Sequence, residues 1–324
     1  MNGVKPALIA LDWGTSSLRG FLMDAAGRVL EQRGSRQGIT NLPEPGPAGF
    51  EAAFEALCGA WLEQWQELPV VAGGMVGSAQ GWREAPYAPC PADARRLAAA
   101  AVEVVTRRGV RVLIAPGVLS RPPGAAPDVM RGEEIQIAGA LILHPELSVR
   151  SLFLMPGTHS KWVEVREGCI IGFRTYMTGE LFAVLSRHSL LGRLMTDPAA
   201  APDQAEAGFA RGVAMAQEAR AGDLAHRIFA ARTLGLTGEV PGSALQDFLS
   251  GLLIGQEVIS ALDGAADGAR LALIGEEGLC RRYAGVLQAL GHAAFLQLGN
   301  TAPPGLFHFA VEAGLLAPPQ EFPR

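Results

Sequence analysis

A strand–turn–strand unit that occurs twice, near residues 8–24 and 152–166, constrains this chain more than any other feature. In the first copy the apolar run Lys5–Leu11 meets the turn Asp12-Trp13-Gly14-Thr15-Ser16-Ser17, and Leu18–Asp24 leaves it. In the second, Leu152–Met155 meets Pro156-Gly157-Thr158-His159-Ser160, and Lys161–Arg166 follows. Apolar runs bounded by Gly, Pro and hydroxyl residues are hairpin signals. Side-chain similarity between the copies is too low to establish a duplication, but their placement predicts two related α/β lobes. Length agrees: 324 residues exceed the roughly 250–300 that one core supports.

Around the first unit, Val29–Arg33 adds a third strand and so an antiparallel meander. Gly49–Leu68 carries Phe50, Phe54, Leu57, Trp61 and Trp65 on one helical stripe. Val70–Val76 is a short strand that ends in Gly73-Gly74-Met75-Val76-Gly77-Ser78. Ala92–Arg108 is expected to be helical and Val110–Ala115 a strand. Pro116–Asp128, with Pro122-Pro123-Gly124 at its centre, is expected to be a loop or linker. The expected lobes are therefore residues 1–120 and 121–324. In the second, Ile135–Leu143 is a helix and Ile170–Tyr176 a strand, and the chain is mainly helical to Asp263 with a break at Pro198–Pro202. Strands Leu271–Ile274 and Ala293–Leu298 then alternate with helices Leu279–Leu290 and Leu306–Leu316.

Hydrophobic residues make up 49% and charged residues 18%, which excludes a disordered chain. A net charge of -5 with no concentrated basic face excludes a nucleic-acid binder. No apolar stretch reaches the length of a membrane span, and Ala7–Leu11 runs into Asp12 too soon for a signal peptide. A cytoplasmic protein, monomer or homodimer, is expected. Cys58, Cys90, Cys169 and Cys280 lack metal-ligand spacing and read as small buried hydrophobes. Of 27 basic residues only Lys5 and Lys161 are lysines, which draws attention to Lys161, since lysine and arginine are not equivalent at a compact anion site.

Four constellations could carry chemistry. Asp12 at a strand end, beside Gly14, Thr15 and Ser16, can hold a hydrated Mg²⁺ while backbone N–H groups meet phosphate. It also fits an ordinary hairpin whose Asp bonds its own turn. Gly157, Thr158, Ser160 and Lys161 offer a second turn of the same kind, His159 being either a participant or a satisfied polar residue. Two such hairpins facing one another would make a phosphate clamp. At Met130-Arg131-Gly132-Glu133-Glu134, the acids either complement a helix dipole or supply a general base, with Arg131 beside them for an anionic substrate. Gly275-Glu276-Glu277-Gly278 is a glycine turn against which an adenine could lie. The chain has neither G-x-x-x-x-G-K-[ST] nor G-x-G-x-x-G, so a bound nucleotide is not held by a P-loop or a dinucleotide fold.

Together these residues resemble the actin-like ATPase superfamily, and within it the 2-dehydro-3-deoxygalactonokinase family. The resemblance is carried by the Asp12-Trp13-Gly14 turn, by Gly74–Ser78 with Gly81-Trp82 and Ala85-Pro86-Tyr87, and by Val129–Glu134. It continues through Met155–Trp162, Phe173–Leu181 and Phe248–Gly255, in order over residues 8–290. Glu276-Glu277 departs from it where a small hydroxyl-rich loop is expected, as does Pro303-Pro304-Gly305 at a helix entry.

The resemblance implies a two-lobed actin-like (ribonuclease H-like) α/β fold, each lobe a mixed sheet with flanking helices, and an active site in the cleft between lobes. It implies ATP and Mg²⁺ as cofactors and a small sugar acid as substrate, 2-dehydro-3-deoxy-D-galactonate, phosphorylated on its 6-hydroxyl in galactonate catabolism. Asp12 would coordinate the metal; Gly14, Thr15, Ser16, Gly157, Thr158, Ser160 and Lys161 would bind phosphates; Gly255, Gly275, Glu276 and Gly278 would meet adenosine. Met75, Ser78 and Trp82 would contact the sugar, and Arg19, Arg131, His159, Lys161 and Arg174 compete for its carboxylate. Glu133 is the expected base, with Glu134 as the alternative. Another actin-like carbohydrate kinase, acting on the gluconate epimer or a neutral sugar, is the second reading. A non-catalytic ATP- or sugar-binding regulator is the third; it would be expected to carry an added DNA-binding helix pair and to lack the acid at the helix start.

Overall fold

The computed structural model of the protein describes residues 4–196, 200–263 and 268–319. Its first elements are β1 (Pro6–Trp13), β2 (Leu18–Asp24), β3 (Val29–Ser35), α1 (Pro47–Gln64), β4 (Val70–Gly74) and β5 (Tyr87–Pro89). They continue with α2 (Ala94–Ala99), β6 (Val102–Val105), β7 (Arg111–Ile114), β8 (Gly117–Ser120), β9 (Asp128–Met130) and α3 (Glu133–Leu143). A six-stranded mixed sheet runs β3-β2-β1-β4-β7-β6. β1 is antiparallel to β2 and parallel to β4, β4 is parallel to β7, and β6 returns antiparallel to β7. The aromatic stripe of α1 is buried: Phe50, Phe54, Leu57 and Trp61 pack with Trp13 and Leu18 from the sheet.

After β10 (Arg150–Met155), β11 (Ser160–Arg166) and β12 (Cys169–Tyr176) come α4 (Thr178–His188), α5 (Pro202–Gln217), α6 (Leu224–Arg227) and α7 (Ala230–Leu236). The chain continues through α8 (Leu245–Leu262), β13 (Arg270–Ile274), α9 (Glu277–Ala289), β14 (Phe295–Leu298) and α10 (Ala302–Glu312). The second sheet runs β12-β11-β10-β13-β14, with β13 parallel to β14. Three consecutive strands followed by two crossover strands is also the order of β3-β2-β1-β4-β7, so the repetition read from two turns extends to whole sheets. Of the break at Pro198–Pro202, Pro198 and Ala199 lie outside the described residues, and α5 starts on Pro202.

Two expectations are corrected. Ala92–Arg108 is not one helix: α2, capped by the Asp93 carboxylate on the Arg96 N–H, stops at Ala99. Val102-Glu103-Val104-Val105 is a strand paired antiparallel with β7 across a turn closed by Gly109 at φ 79°. Its β-branched residues fit a pleated surface better than a helix. Pro116–Asp128 is not a linker either. β8 pairs antiparallel with β9 and parallel with β5, so Pro122-Pro123-Gly124 lies in a hairpin connection within a three-stranded sheet.

The chain forms two compact units, Met1–Ser151 with Val163–Phe173 and Asn300–Arg324, and Leu152–Trp162 with Arg174–Gly299. Residues 121–151 and the C-terminal segment therefore group with the first unit, unlike the single division expected at residue 120. The cause is α10, which crosses α3 closely: a Cβ on Gly139 would come 1.9 Å from the Thr301 carbonyl oxygen, and one on Gly305 equally close to that of Ile135. Leu306, Phe307 and Phe309 are at most 1% exposed, each worth about 1.5–3 kcal/mol of apolar burial. In the second unit α5 and α8 meet just as closely through Gly208 and Gly212 on one side and Gly251 and Gly255 on the other. Cys58 and Cys280 are buried, as expected, whereas Cys90 and Cys169 are half-buried. Among the described residues no helix is long and apolar enough to cross a membrane.

Candidate functional site

In the first unit β1 delivers Asp12 to the C-terminal edge of the sheet, directly opposite Arg19 on β2. The pair closes to 2.5 Å. Burial raises the Asp12 carboxyl from its ordinary value, and the guanidinium of Arg19 opposes the rise. The turn that follows is held from one side by residues 38–41. Ile39 N–H donates to the Gly14 carbonyl, Thr40 N–H and Oγ1 to that of Thr15, and the Asn41 amide to that of Ser16. A trans peptide points its N–H away from its C=O. The amides of Thr15, Ser16 and Ser17, all exposed residues, are therefore turned away from this strap in the manner of an anion cradle. The strap was missed in sequence because its partners lie about 25 residues upstream and make only backbone contacts.

The end of β4 lies beside that of β1, Asp12 opposite Gly73 and Trp13 opposite Gly74. Gly132, at φ 106°, sits against Gly74, where a Cβ would be 3.3 Å from the Gly74 Cα. α3 therefore begins on the segment Met75–Ser78, and the expected sugar contacts and acids share one edge. Glu133 is half-buried, one carboxylate oxygen accepting the Arg131 N–H at 3.0 Å. Glu134 points elsewhere. It is fully buried, both oxygens accept the Gly132 N–H at 2.8–2.9 Å, and it borders a cavity of about 410 Å³ lined by residues of α2, α3 and α10. Burial, and then the charge of Glu133, push its carboxyl up to about 8.

Arg131 donates Nη2 to the Ala85 carbonyl at 2.8 Å and lies 4.4 Å over the Tyr87 ring. Its Nε and Nη1 are buried without hydrogen-bond partners, Nη1 beside Gly77, and so is the Ser78 hydroxyl. Met75 is half-buried. Trp82 stacks on Phe50 at 6.1 Å and meets Trp13 edge-on at 5.8 Å, a packing role that its position in sequence did not reveal.

In the second unit the turn Gly157–His159 rests on the start of α4. The Glu180 N–H donates to the Thr158 carbonyl at 3.0 Å, a Cβ on Gly179 would come 2.5 Å from the Gly157 oxygen, and His159 pairs with Glu180 at 2.5 Å. Thr158 remains exposed. Lys161 is 5% exposed and donates Nζ to the His159 carbonyl at 3.2 Å. Ser160 is turned inward, its hydroxyl 2.9 Å from that of Tyr283, which removes that hydroxyl from the turn's outer face. Tyr283 in turn donates to Glu257 at 2.6 Å, and Trp162 donates to the other Glu257 oxygen at 2.9 Å. These contacts join residues 26, 95 and 123 apart, and no local signal joins them.

Of the four residues expected at adenosine, Gly275, Glu276 and Gly278 stay together at the start of α9, and Gly255 lies apart in α8. Gly255 is buried in the α5–α8 contact, 2.6 Å from Ala216 if given a Cβ. Glu276 caps α9, accepting the N–H groups of Gly278 and Leu279, which lower its pKa; Gly275 precedes it. Arg174 donates to the carbonyls of Ser260 and Ala261 at the end of α8, where a cation complements the helix dipole. A feature that the sequence did not reveal is a cavity of about 400 Å³ within this unit, lined by Gly157, Thr178, Gln246, Asp247, Arg282 and Tyr283 among others. Arg282 bonds Asp247 at 2.6 Å on its wall.

Comparison with known proteins adds to this geometry. The family profile described as 2-keto-3-deoxy-galactonokinase matches residues 12–309. The chain is 37% identical over 294 residues to the 2-dehydro-3-deoxygalactonokinase of Escherichia coli (strain K12), covering 91% of this chain and 94% of that protein. A Rhizobium meliloti protein provisionally given the same name is 36% identical over 286 residues, covering 87% and 89% respectively. A crystal structure from Sinorhizobium meliloti, again provisionally so named, superposes with a TM-score of 0.84 at 32% identity, over 94% of this chain and 98% of that one.

Proposed function

The chain belongs to the 2-keto-3-deoxy-galactonokinase family, and from that membership we propose how its residues perform the reaction. The enzyme is an ATP-dependent kinase that phosphorylates 2-dehydro-3-deoxy-D-galactonate in galactonate catabolism. The acceptor is the sugar acid's 6-hydroxyl, and Glu133 takes its proton. The observation that carries this assignment is the seating of Gly132 on Gly74, which starts α3 on the Met75–Ser78 segment and leaves Glu133 only half-buried there. Glu134, fully buried and folded back on the Gly132 N–H, is the weaker candidate.

Phosphoryl transfer needs positioning and charge neutralisation more than covalent chemistry from the protein. The outward amides of Thr15 and Ser16, the backbone N–H of Gly157 and the hydroxyl of Thr158 are donors for phosphate oxygens, whereas the Gly14 N–H is already given to the Ser17 carbonyl and shapes the turn. Lys161 supplies positive charge behind the second turn. The adenosine occupies the cavity of about 400 Å³ in the second unit, a size and polarity suited to a nucleoside. Among the described residues no group of three or more His, Cys, Asp or Glu could hold a metal. That fits Mg²⁺, which keeps several waters and needs only one or two carboxylates besides substrate phosphates. Asp12 would hold it through water, and when bound it would neutralise charge on the phosphates.

For the substrate carboxylate, Arg19 is engaged by Asp12, His159 by Glu180 and Arg174 by the end of α8. Arg131, with two buried guanidinium nitrogens lacking hydrogen-bond partners, one of them beside Gly77, is the cation we assign to it.

The test is ADP release with Mg-ATP, comparing 2-dehydro-3-deoxy-D-galactonate, its gluconate epimer and a neutral hexose, in wild type and Glu133→Gln. Turnover confined to sugar acids and lost in the variant supports both the substrate class and the base. Acid turnover that survives Glu133→Gln moves the base to Glu134, and turnover of the hexose alone removes the carboxylate argument.

A further inference from the structure

We infer that Glu257 is a positioning residue for the nucleotide, tying the phosphate turn, the start of α4 and α9 into one unit from beneath. This rests on the reading that the second unit receives ATP. Glu257 sits in the middle of α8, remote in sequence from every expected site residue except Gly255, and is 3% exposed. An isolated carboxylate there would be costly to bury. It is instead surrounded by donors. Trp162 Nε1–H donates to one oxygen at 2.9 Å, Tyr283 O–H donates to the other at 2.6 Å, and the hydroxyls of Thr178 and Ser160 add further bonds. Burial raises its pKa, and those four groups oppose the rise.

What the four donors have in common is their location. Ser160 is the first residue of β11 and closes the turn that begins at Gly157. Thr178 is the first residue of α4, whose next two residues brace that turn: Gly179 packs against the Gly157 oxygen and Glu180 N–H bonds the Thr158 carbonyl. Tyr283 comes from the middle of α9 and, with Gly157, Thr178 and Gly179, lines the cavity assigned to adenosine. One buried carboxylate is thus bonded to the turn that would meet phosphate, to the helix start that supports the turn, and to the helix that walls the nucleoside cavity. Buried networks in which every member is satisfied hold their members in a single arrangement. Helix packing alone would not need a carboxylate at this position, because a leucine would fill the space without requiring four polar partners.

Glu257→Gln keeps the volume and replaces one acceptor oxygen by an NH₂ that faces donors, loosening the turn and the cavity wall together. The experiment measures the dissociation constant of a fluorescent ATP analogue without sugar, then both KM values, on protein shown to be folded by circular dichroism. We expect nucleotide binding to weaken by about tenfold and the KM for ATP to rise in step, while the KM for the sugar acid stays within about twofold. Tyr283→Phe, which removes one donor and leaves Trp162 and Thr178 in place, should weaken nucleotide binding by about threefold. It serves as the test if Glu257→Gln does not fold. Trp162 adds a spectroscopic readout, because its indole emission should shift in Glu257→Gln and respond differently to nucleotide. Unchanged nucleotide affinity in both folded variants overturns the inference, and so do two KM values that rise equally. Wild-type turnover, measured alongside, reports separately on the kinase assignment: its absence would count against that reading and not against the role of Glu257.

Discussion

Glu134 and Glu257 are the same residue, equally hidden from water, one in each unit, and they are treated in opposite ways. Glu257 is met by side chains from four other points in the chain, each offering an N–H or O–H. Glu134 is met by backbone N–H alone, with the carboxylate of Glu133 next to it in sequence, and is pushed up to about 8. Burial by itself therefore does not say what a carboxylate is for. A glutamate enclosed by side-chain donors from several elements is a joint, and one met only by backbone N–H at a helix start, beside a second carboxylate, is a group that holds its proton.

The largest expected effect separates Glu134 from its neighbour. Glu133→Gln should lower kcat by about 10²–10⁴-fold, the usual contribution of a general base. Glu134→Gln copies the protonated acid already present at neutral pH and should leave kcat within about threefold. A large loss in the second variant would exchange the two roles.

Next comes the pH dependence of stability. The folded pKa of Glu134 lies above its ordinary 4.5, at about 8, so between those values the native state holds a proton that the unfolded chain releases. The stability contribution is whole below pH 4.5 and is lost as pH rises towards 8, with a slope of up to about 1.4 kcal/mol per pH unit. The groups around it are Glu133 and Arg131 on its own segment, Asp93 and Arg95 from the start of α2, and His308 and Glu312 from α10. His308 has its pKa lowered by burial, against the charge of Glu312. Denaturant titrations from pH 5 to 8 should show this fall in wild type and a flatter profile in Glu134→Gln. Parallel profiles would mean that Glu134 is already ionised.

A smaller effect tests the joint. Glu257→Gln should destabilise the fold by about 1–3 kcal/mol at pH 7, because a donor then faces donors. Glu134→Gln should be close to neutral at the same pH. Smallest of all, Tyr283→Phe should cost about 1 kcal/mol, one hydrogen bond from a network that keeps its other members. Equal costs for the two Glu→Gln changes would remove the contrast between them.

The same contrast explains what the sequence revealed. Glu133 and Glu134 were visible as candidates because a helix start, an arginine and a glycine adjoin them in sequence. So were β1 to β3, whose alternation and turns are local. Glu257 was invisible, since its four partners lie about 26–97 residues away. Gly255 was legible as a glycine but not as a contact: its closeness to Ala216 belongs to a helix crossing that only the folded chain defines. The Ala92–Arg108 error has the same origin, since only the presence of β7 makes Val102–Val105 a strand. Pro122-Pro123-Gly124 was recognised as a break, but a hairpin connection and a linker are written in the same residues.

The position of α10 has a consequence for how the protein is made. Synthesis proceeds from the N-terminus, so β1 and β4 leave the ribosome long before Ala302–Glu312, the helix that packs against them and α3. The unit begun first is completed last, and the surface that receives Leu306, Phe307 and Phe309 must wait through the whole of the second unit before it is covered.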